Sequence, residues 1–300
     1  MAFSKIYFKS FFVTLILVFF FIFTGCVAKK NSESFHKEKL NIYTTIYPLE
    51  YFALQIGKEK VRVTNLTSSG IDPHEVDLSL KQLTELSNAD VLFYNGIGLE
   101  KNIIRKINKL EKLKGNLKFI NTSLNLKNVD TSDPHIWLNP LYAKEQAKVI
   151  FEILSQLDKK NKNFYFKNYL SLSKRLDELD QKFLEMVKKA KRNEFVVTWP
   201  SFLHLANRYG LKQLYLSSNQ GDFSPKKLEH ILHHLKAKGI KIVFTESHSS
   251  SKTIKVLVKE FNLKAYPLYT IENLPKNEAV KEDYFSLMLK NLKRLEMSLT

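Results

Sequence analysis

The sequence predicts an α/β protein made of two lobes, each with a mainly parallel sheet flanked by helices, joined by one long rigid helix. Strand-like and helical segments alternate before residue 158 and again after residue 193, and such alternation is typical of parallel βαβ units. Between the two series, apolar side chains from Tyr169 to Val187 recur mostly every three or four positions, without glycine or proline. That spacing predicts a long amphipathic helix. The 300 residues are enough to bury two cores.

Residues 1–25 have the pattern of an export signal. Lys5 and Lys9 precede an uncharged apolar run from Phe11 to Phe23, which is the order found in signal peptides. The run is about 13 residues long, whereas a membrane-spanning helix needs about 20. A cleaved signal peptide is therefore favoured over a transmembrane anchor.

The residue that follows this signal is Cys26, the single cysteine of the chain. A cysteine directly after Gly25 resembles the bacterial lipobox, with Phe23 at a position usually held by leucine, and the resemblance implies lipidation of Cys26. Acyl chains there would hold the protein at the outer face of the cytoplasmic membrane. Residues 26–38 are rich in Lys, Ser, Asn and Glu and are expected to form a flexible tether.

The composition is that of a folded globular chain, with 44% hydrophobic and 26% charged residues. The formal net charge is +17, but the lysines are spread along the whole chain without an arginine-rich or aromatic-interleaved block. A nucleic-acid partner is therefore not expected. The favoured interpretation is a solvated basic surface that interacts weakly with anionic lipid headgroups or cell-wall polymers.

Residues 39–158 are expected to form the first lobe. Its strand segments are buried apolar runs, its helix segments have apolar residues three and four apart, and glycine-containing turns separate some of them. The predicted strands are Leu40–Tyr47, Val61–Leu66, Asp90–Asn95 and Leu117–Ile120, and the predicted helices are Leu49–Ile56, Leu78–Leu86 and Pro140–Leu157.

Residues 159–192 are expected to contain the linking helix, with the helical pattern over Phe164–Lys191, and residues 193–300 the second lobe. A rigid linking helix should limit hinge motion, so small lobe shifts are predicted on ligand binding. In the second lobe the predicted strands are Phe195–Thr198, Leu214–Ser217 and Ile240–Thr245, and the predicted helices are Phe202–Tyr209, Pro225–Lys238 and Lys252–Phe261.

Two of the eight histidines lie in predicted loops directly after Asp-Pro pairs, at His74 and His135. Proline restricts the backbone just before each imidazole, which suits a ring that must be aimed. Neutral imidazole is the commonest metal ligand and pairs well with zinc. A single loop histidine is more often a helix cap or a surface residue than a metal ligand. Because two such segments occur in one lobe, a metal site and a cap or surface role are about equally favoured here.

A series of motifs resembles the zinc- and manganese-binding proteins of bacterial ABC importers. The matching segments follow the order of that family and cover the chain from about residue 40 to 298, which makes the resemblance far more specific than any one motif. They are Thr44–Leu49, Asp72–Glu75, Asp90–Gly96, Asp133–Pro140, Phe202–Leu211, Phe244–Ser247, Ile271–Leu274 and Asp283–Met288.

The resemblance implies an extracytoplasmic solute-binding lipoprotein that captures a divalent metal ion and delivers it to an ABC permease and its ATPase. Proteins of this architecture are typically monomers. Zinc is favoured over manganese because imidazole-rich coordination suits zinc, although Asn121–Ser132 lacks the histidine-rich stretch of many zinc-binding members. The alternatives are a surface lipoprotein with a degenerate site, serving adhesion or another ligand, and a zinc hydrolase. The hydrolase has no support from a His-Glu-x-x-His, Gly-x-Ser-x-Gly or phosphate-loop motif.

The family typically holds its metal with three histidines and a carboxylate, two ligands from each lobe. The resemblance places His74, His135 and Glu272 at three of these positions, and the third histidine is replaced by Trp199, whose ring offers no lone pair. Three alternatives stay open. His248 replaces the missing ligand, water fills an open position, or the site has changed its ligand and Trp199 is a stacking surface.

The other histidines are expected to have structural or solvated positions. His204 is at a position where the family usually has an aromatic residue, so packing is favoured over metal ligation. His230 and His234 lie four apart on a predicted helix and could chelate an ion. A solvated helix face is nevertheless favoured for this pair.

Overall fold

The computed structural model describes residues 39–67, 73–111, 117–217, 225–246, 252–274 and 281–300. The predicted signal peptide, Cys26 and the predicted tether lie outside the described residues. None of the helices in the described part of the chain is both long and apolar enough to span a membrane.

The first lobe is built on a four-stranded parallel sheet in the order β2-β1-β3-β4. Capping residues mark where its helices begin. Ser79 forms a capping box with Gln82, and Asn139 accepts the Leu141 N–H at 3.0 Å. The elements are β1 (Leu40–Thr44), α1 (Tyr47–Gly57), β2 (Val61–Asn65), α2 (Leu80–Leu86), β3 (Val91–Tyr94), α3 (Lys101–Glu111), β4 (Lys118–Asn121) and α4 (Pro140–Leu157).

A 27-residue helix, α5 (Lys162–Lys188), follows the first lobe. One face buries Leu172, Leu176, Leu179 and Phe183 and packs against α1 and α4. Asp180 on the same helix binds Arg208 of the second lobe through two hydrogen bonds of 2.9 and 2.7 Å. The long helix is therefore attached to both lobes.

The second lobe repeats the architecture with a parallel sheet in the order β6-β5-β7-β8. Its elements are β5 (Glu194–Val197), α6 (Leu203–Arg208), β6 (Lys212–Tyr215), α7 (Pro225–Lys238), β7 (Ile242–Thr245), α8 (Lys252–Glu260) and β8 (Lys264–Pro267). The fold class predicted from the sequence, two parallel α/β lobes with a long helix between them, is confirmed.

The last helix, α9 (Tyr284–Leu299), returns to the first lobe. Its N-cap, Asp283, accepts the Ser286 N–H at 2.7 Å and the Tyr51 hydroxyl of α1 at 2.8 Å. The rings of Tyr51 and Tyr284 stack with centroids 6.1 Å apart, and α9 also contacts β5. One buried apolar cluster consequently includes residues of both lobes and of the long helix.

Candidate metal site

The imidazole of His135 is held in place by the carboxylate two residues before it. Asp133 Oδ1 accepts the backbone N–H of His135 at 2.9 Å and lies 2.5 Å from its ring Nδ1. An ionised carboxylate only accepts hydrogen bonds, so Nδ1 carries the hydrogen of this pair. The opposite ring atom, Nε2, then faces away from Asp133 and is the atom available to a ligand or a proton.

That Nε2 atom lies 2.8 Å from the Oε1 atom of Glu272, a residue of the second lobe. Glu272 follows β8 in a segment that docks on the first lobe. The backbone N–H of Tyr47 donates to the Glu272 carbonyl at 2.9 Å. The indole N–H of Trp137 donates to the Thr270 carbonyl at 2.6 Å. These contacts fix Glu272 opposite His135.

His74 completes a group of three possible metal donors. Its Nε2 lies 4.0 Å from Glu272 Oε2, and its ring centroid is 5.4 Å from that of His135. One possible donor atom from each of the three residues lies within 4.8 Å of the other two. The described part of the chain contains no second group of three or more His, Cys, Asp or Glu residues arranged in this way. His74 is 38% exposed and Glu272 13%, so the group opens to solvent on the His74 side.

The electrostatics of the group favour a bound cation. Burial alone would lower the pKa of His135, but the carboxylates of Asp133 and Glu272 raise it to about 10. Burial alone would raise the pKa of Glu272, but His135 and His74 hold it below its usual range. The two carboxylates flank one imidazole and carry more negative charge than that ring can balance. A divalent cation could take the place of the proton between Nε2 and Glu272.

Comparison with known proteins identifies the family. The model of the family described as zinc-uptake complex component A, periplasmic (ZnuA), matches residues 42–298. The chain belongs to this family. ZnuA of Bacillus subtilis, named as a high-affinity zinc uptake system protein, is 29% identical in an alignment 296 residues long that covers 92% of each chain. The FimA lipoprotein of Streptococcus parasanguinis, named as a metal ABC transporter substrate-binding protein, is 26% identical over 96% of this chain and 98% of its own.

Solved structures of the ZnuA family have the same fold. The Zn(II)-bound ZnuA-like domain of Streptococcus pneumoniae AdcA aligns with a TM-score of 0.79 and 30% identity, covering 87% of this chain and 99% of that domain. The chain spans 58% of the length of the whole AdcA protein. The matching family and the relatives named here are metal-uptake or metal-binding transport components, so the expectation that the chain is not an enzyme is confirmed.

Trp199 and His248 both bear on the identity of a fourth ligand, and the structure describes only Trp199. Trp199 follows β5, and its indole Nε1 is buried with no hydrogen-bond partner among the described residues. His248 lies outside the described residues, so its role as a replacement ligand stays a prediction. The three alternatives for the fourth position therefore remain open.

His204 is not a member of the donor group but supports it. Its Nε2 donates to the backbone carbonyl of Asp133 at 2.6 Å, and its ring packs edge-on against Tyr142. The neighbouring N–H of Leu203 donates to Asp133 Oδ2 at 2.8 Å. The start of α6 in the second lobe thus holds Asp133, which in turn holds His135. Sequence reasoning missed this role of Asp133, although a carboxylate two residues before a candidate ligand could have indicated it.

The histidines of α7 have no such arrangement. His234 Nε2 lies 2.8 Å from Glu194 Oε2, and Lys212 approaches the same carboxylate at 3.5 Å. His230 and His233 are exposed. A hydrogen bond with Glu194 at the surface of the lobe accounts for His234, in keeping with the solvated helix face expected from the sequence.

Proposed function

We propose that this protein is the extracytoplasmic zinc-binding component of an ABC importer, with His74, His135 and Glu272 as ligands of the transported ion. The observation that carries the proposal is the convergence of these three donors, two from the first lobe and one from the second, at separations below 4.8 Å. Two imidazoles and one carboxylate form a donor set typical of zinc. The names of the relatives support the same ion.

The geometry of the group is close to that of a zinc site and requires two small adjustments. Tetrahedral ligands about 2.1 Å from zinc lie about 3.4 Å from one another. The 2.8 Å pair of His135 and Glu272 must open slightly, and His74, 4.0 Å from the carboxylate, must approach. His74 is the most exposed of the three and can move most easily. Manganese prefers more oxygen donors than this group supplies.

The family and the sequence of the amino terminus support a location for the protein and a route for delivery of the ion. The lipobox-like sequence at Cys26 supports a lipid anchor at the outer face of the cytoplasmic membrane. An ion captured there would pass to a permease and its ATPase in the same membrane. The names of several relatives, which are lipoproteins or ABC transporter components, support this placement.

The proposal is tested by titrating metal-free protein, residues 27–300, with zinc and with manganese in the presence of a competing chelator. We expect one zinc ion per chain and weaker binding of manganese. His74→Ala and Glu272→Gln should each weaken zinc binding by about a hundredfold or more, because each removes one of three protein ligands.

A matched control is available on α7. His233 is exposed and lies outside the donor group, so His233→Ala should bind zinc as the unaltered protein does. Absence of zinc binding, or equal weakening by His233→Ala and His74→Ala, would reject the proposed site. Running His248→Ala in the same series decides whether His248 is the fourth ligand.

A further inference from the structure

A buried polar network lies beneath the histidine segments, at the end of β3. Asn95 and Glu100 are 0% and 1% exposed. Positive φ angles at Gly96 (84°), Ile97 (52°) and Gly98 (77°) turn the chain sharply between them. The Glu100 carboxylate accepts the backbone N–H groups of Asn95 at 2.6 Å and Gly96 at 3.0 Å. The turn is therefore closed by its own buried carboxyl group.

The side chain of Asn95 connects this turn to the segment that carries His135. Its Nδ2 donates to the carbonyl of Pro134 at 2.9 Å and to that of Gly96 at 3.1 Å. The Pro134 carbonyl also accepts the Ile136 N–H at 2.8 Å, which closes a tight turn around His135. The position of this one carbonyl thus fixes the backbone from which the imidazole projects.

The orientation of the Asn95 amide is itself determined by a neighbour. Gln146 Nε2 donates to Asn95 Oδ1 and to Thr122 Oγ1, each at 3.0 Å. Because the atom of Asn95 that faces this donor must be oxygen, Nδ2 is directed at Pro134. Asn95, Gln146 and Thr122 are all buried, so water cannot readily replace these bonds.

The same network extends toward the other histidine segment. Thr45 donates its hydroxyl to Glu100 Oε1 at 2.6 Å. The backbone carbonyl of Thr45 accepts a hydrogen bond from the hydroxyl of Thr67, which precedes His74 in the chain. Glu100 therefore connects the ends of β1 and β3, and Thr67, which follows β2, is joined to them through Thr45.

We propose that Asn95 is a positioning residue of the metal site: held by Glu100 and Gln146, it fixes the Pro134 carbonyl and so places the His135 imidazole for zinc. This inference rests on the proposed function and adds a residue that touches no ligand atom. Outer partners that orient a metal ligand typically change metal affinity 10- to 100-fold when removed. Removal of the Asn95 donor should have an effect in that range.

The test uses two variants of Asn95. Asn95→Asp keeps an oxygen toward Gln146 and, when ionised, removes the donor to Pro134, and Asn95→Ala removes the side chain without introducing a buried carboxyl group. Both should weaken zinc binding about 10- to 100-fold. Both should also shift the visible absorption bands of Co(II) bound in place of zinc, because those bands report the geometry of the ligands.

Thr122→Val is the matched control. It removes two hydrogen bonds of the same buried network, from Gln146 and to the Tyr94 carbonyl, while nearly retaining the size of the side chain and leaving the Asn95–Pro134 contact in place. It should lower the melting temperature but preserve the zinc affinity and the Co(II) spectrum. The positioning role is refuted if the Asn95 variants bind zinc as the unaltered protein does. It is also refuted if Thr122→Val loses as much affinity as Asn95→Ala.

A measurement on metal-free protein separates this inference from the proposed function. If the unaltered protein binds no zinc, the proposed function fails, and the role of Asn95 is judged from ¹H–¹⁵N spectra without metal. Asn95→Ala should then shift the amide signals of His135 and Ile136, and Thr122→Val should leave them in place. Unshifted signals in Asn95→Ala would overturn the inference.

Discussion

The Nε2 atom of His135 lies 2.8 Å from the Oε1 atom of Glu272, although the two residues are 137 positions apart and belong to different lobes. Two of the three proposed ligands, one from each lobe, therefore lie within hydrogen-bonding distance of each other. A bound zinc ion would replace a hydrogen bond at this point rather than draw two distant surfaces together.

Asp133→Asn should weaken zinc binding about 10- to 100-fold, because Asp133 fixes the ring orientation of His135 through Nδ1. An asparagine at this position cannot match a carboxylate as the acceptor for Nδ1–H, and its amide nitrogen could favour the wrong tautomer. The measurement is a zinc titration with a competing chelator. Asp130→Asn is the control, since Asp130 bonds Ser132 in the same segment and does not contact His135. Equal affinities of the two variants would contradict the prediction.

Part of the fold follows directly from the sequence. The bounds predicted for α4 and α7 agree with the structure, Pro140–Leu157 and Pro225–Lys238. Both helices begin at a proline, which favours the first helical position because its missing N–H would be unpaired there. The strand predicted at Leu40–Tyr47 ends instead at Thr44, because Tyr47 and Pro48 already belong to the first turn of α1.

The edge strands of the second sheet could not be located from their pattern. β6 was predicted at Leu214–Ser217 and lies at Lys212–Tyr215, and β8 (Lys264–Pro267) was not predicted. Both are outer strands of the sheet and have partly exposed side chains. They therefore lack the continuous apolar run that marks a buried strand. Helices α3 and α9 were also not predicted from the sequence.

In the candidate site, too, local sequence patterns indicate some residues, whereas contacts between distant parts of the chain cannot be predicted from them. His74 and His135 were found because each follows an Asp-Pro pair in the chain. The approach of Glu272 to His135 came only from family resemblance, since local spacing contains no information about docking of one lobe on another. The bond from His204 to Asp133 spans 71 positions and likewise depends on the tertiary structure.

Asp180→Ala should lower the free energy of unfolding by about 3 kcal/mol, because it leaves a partly buried guanidinium without its partner. The Asp180 side chain is 4% exposed and accepts two bonds from Arg208. Asp177→Ala on the same helix is the control. Its pair with Lys144 is 47% and 29% exposed, so the loss there should stay below about 1 kcal/mol. Urea unfolding measures both values, and similar losses would be inconsistent with the buried pair.

Glu100→Gln should flatten the dependence of stability on pH. Burial raises the pKa of Glu100 to about 7, against an ordinary value of 4.5. The folded protein therefore keeps a proton that the unfolded chain has already released, so the free energy of unfolding falls as the pH rises from about 4.5 to 7. The raised pKa corresponds to a loss of about 3 kcal/mol over that interval. Glutamine does not titrate and removes this loss.

Urea unfolding at pH 5, 6, 7 and 8 measures the effect as a slope, so any constant loss of stability from the substitution cancels. Glu185 is exposed, and Glu185→Gln should keep the slope of the unaltered protein. A slope for Glu100→Gln equal to that of the control would show that Glu100 titrates as an ordinary glutamate.

Cys26→Ala should release the protein from the membrane fraction, since Cys26 is the single cysteine and the predicted site of lipidation. Burial of acyl methylenes contributes about 0.8 kcal/mol each, and two chains give a stable anchor. Fractionation of cells that express the full chain measures the distribution, and globomycin-sensitive processing reports the lipoprotein signal. Membrane retention of Cys26→Ala at the level of the unaltered protein would instead indicate an uncleaved apolar anchor.

Zinc binding should leave the overall dimensions of the protein nearly unchanged. Besides the contact of His135 with Glu272, hydrogen bonds that join the lobes near the donor group run from Leu203 and His204 to Asp133, from Trp137 to Thr270, from Tyr47 to Glu272 and from Tyr284 to Trp137. A hinge motion would break these bonds and divide an apolar cluster that both lobes share. We therefore expect matching small-angle scattering profiles with and without zinc, and hydrogen-exchange changes centred on His74. A marked compaction on adding zinc would show that the lobes separate in the metal-free protein and that the 2.8 Å contact of His135 with Glu272 forms only on closure.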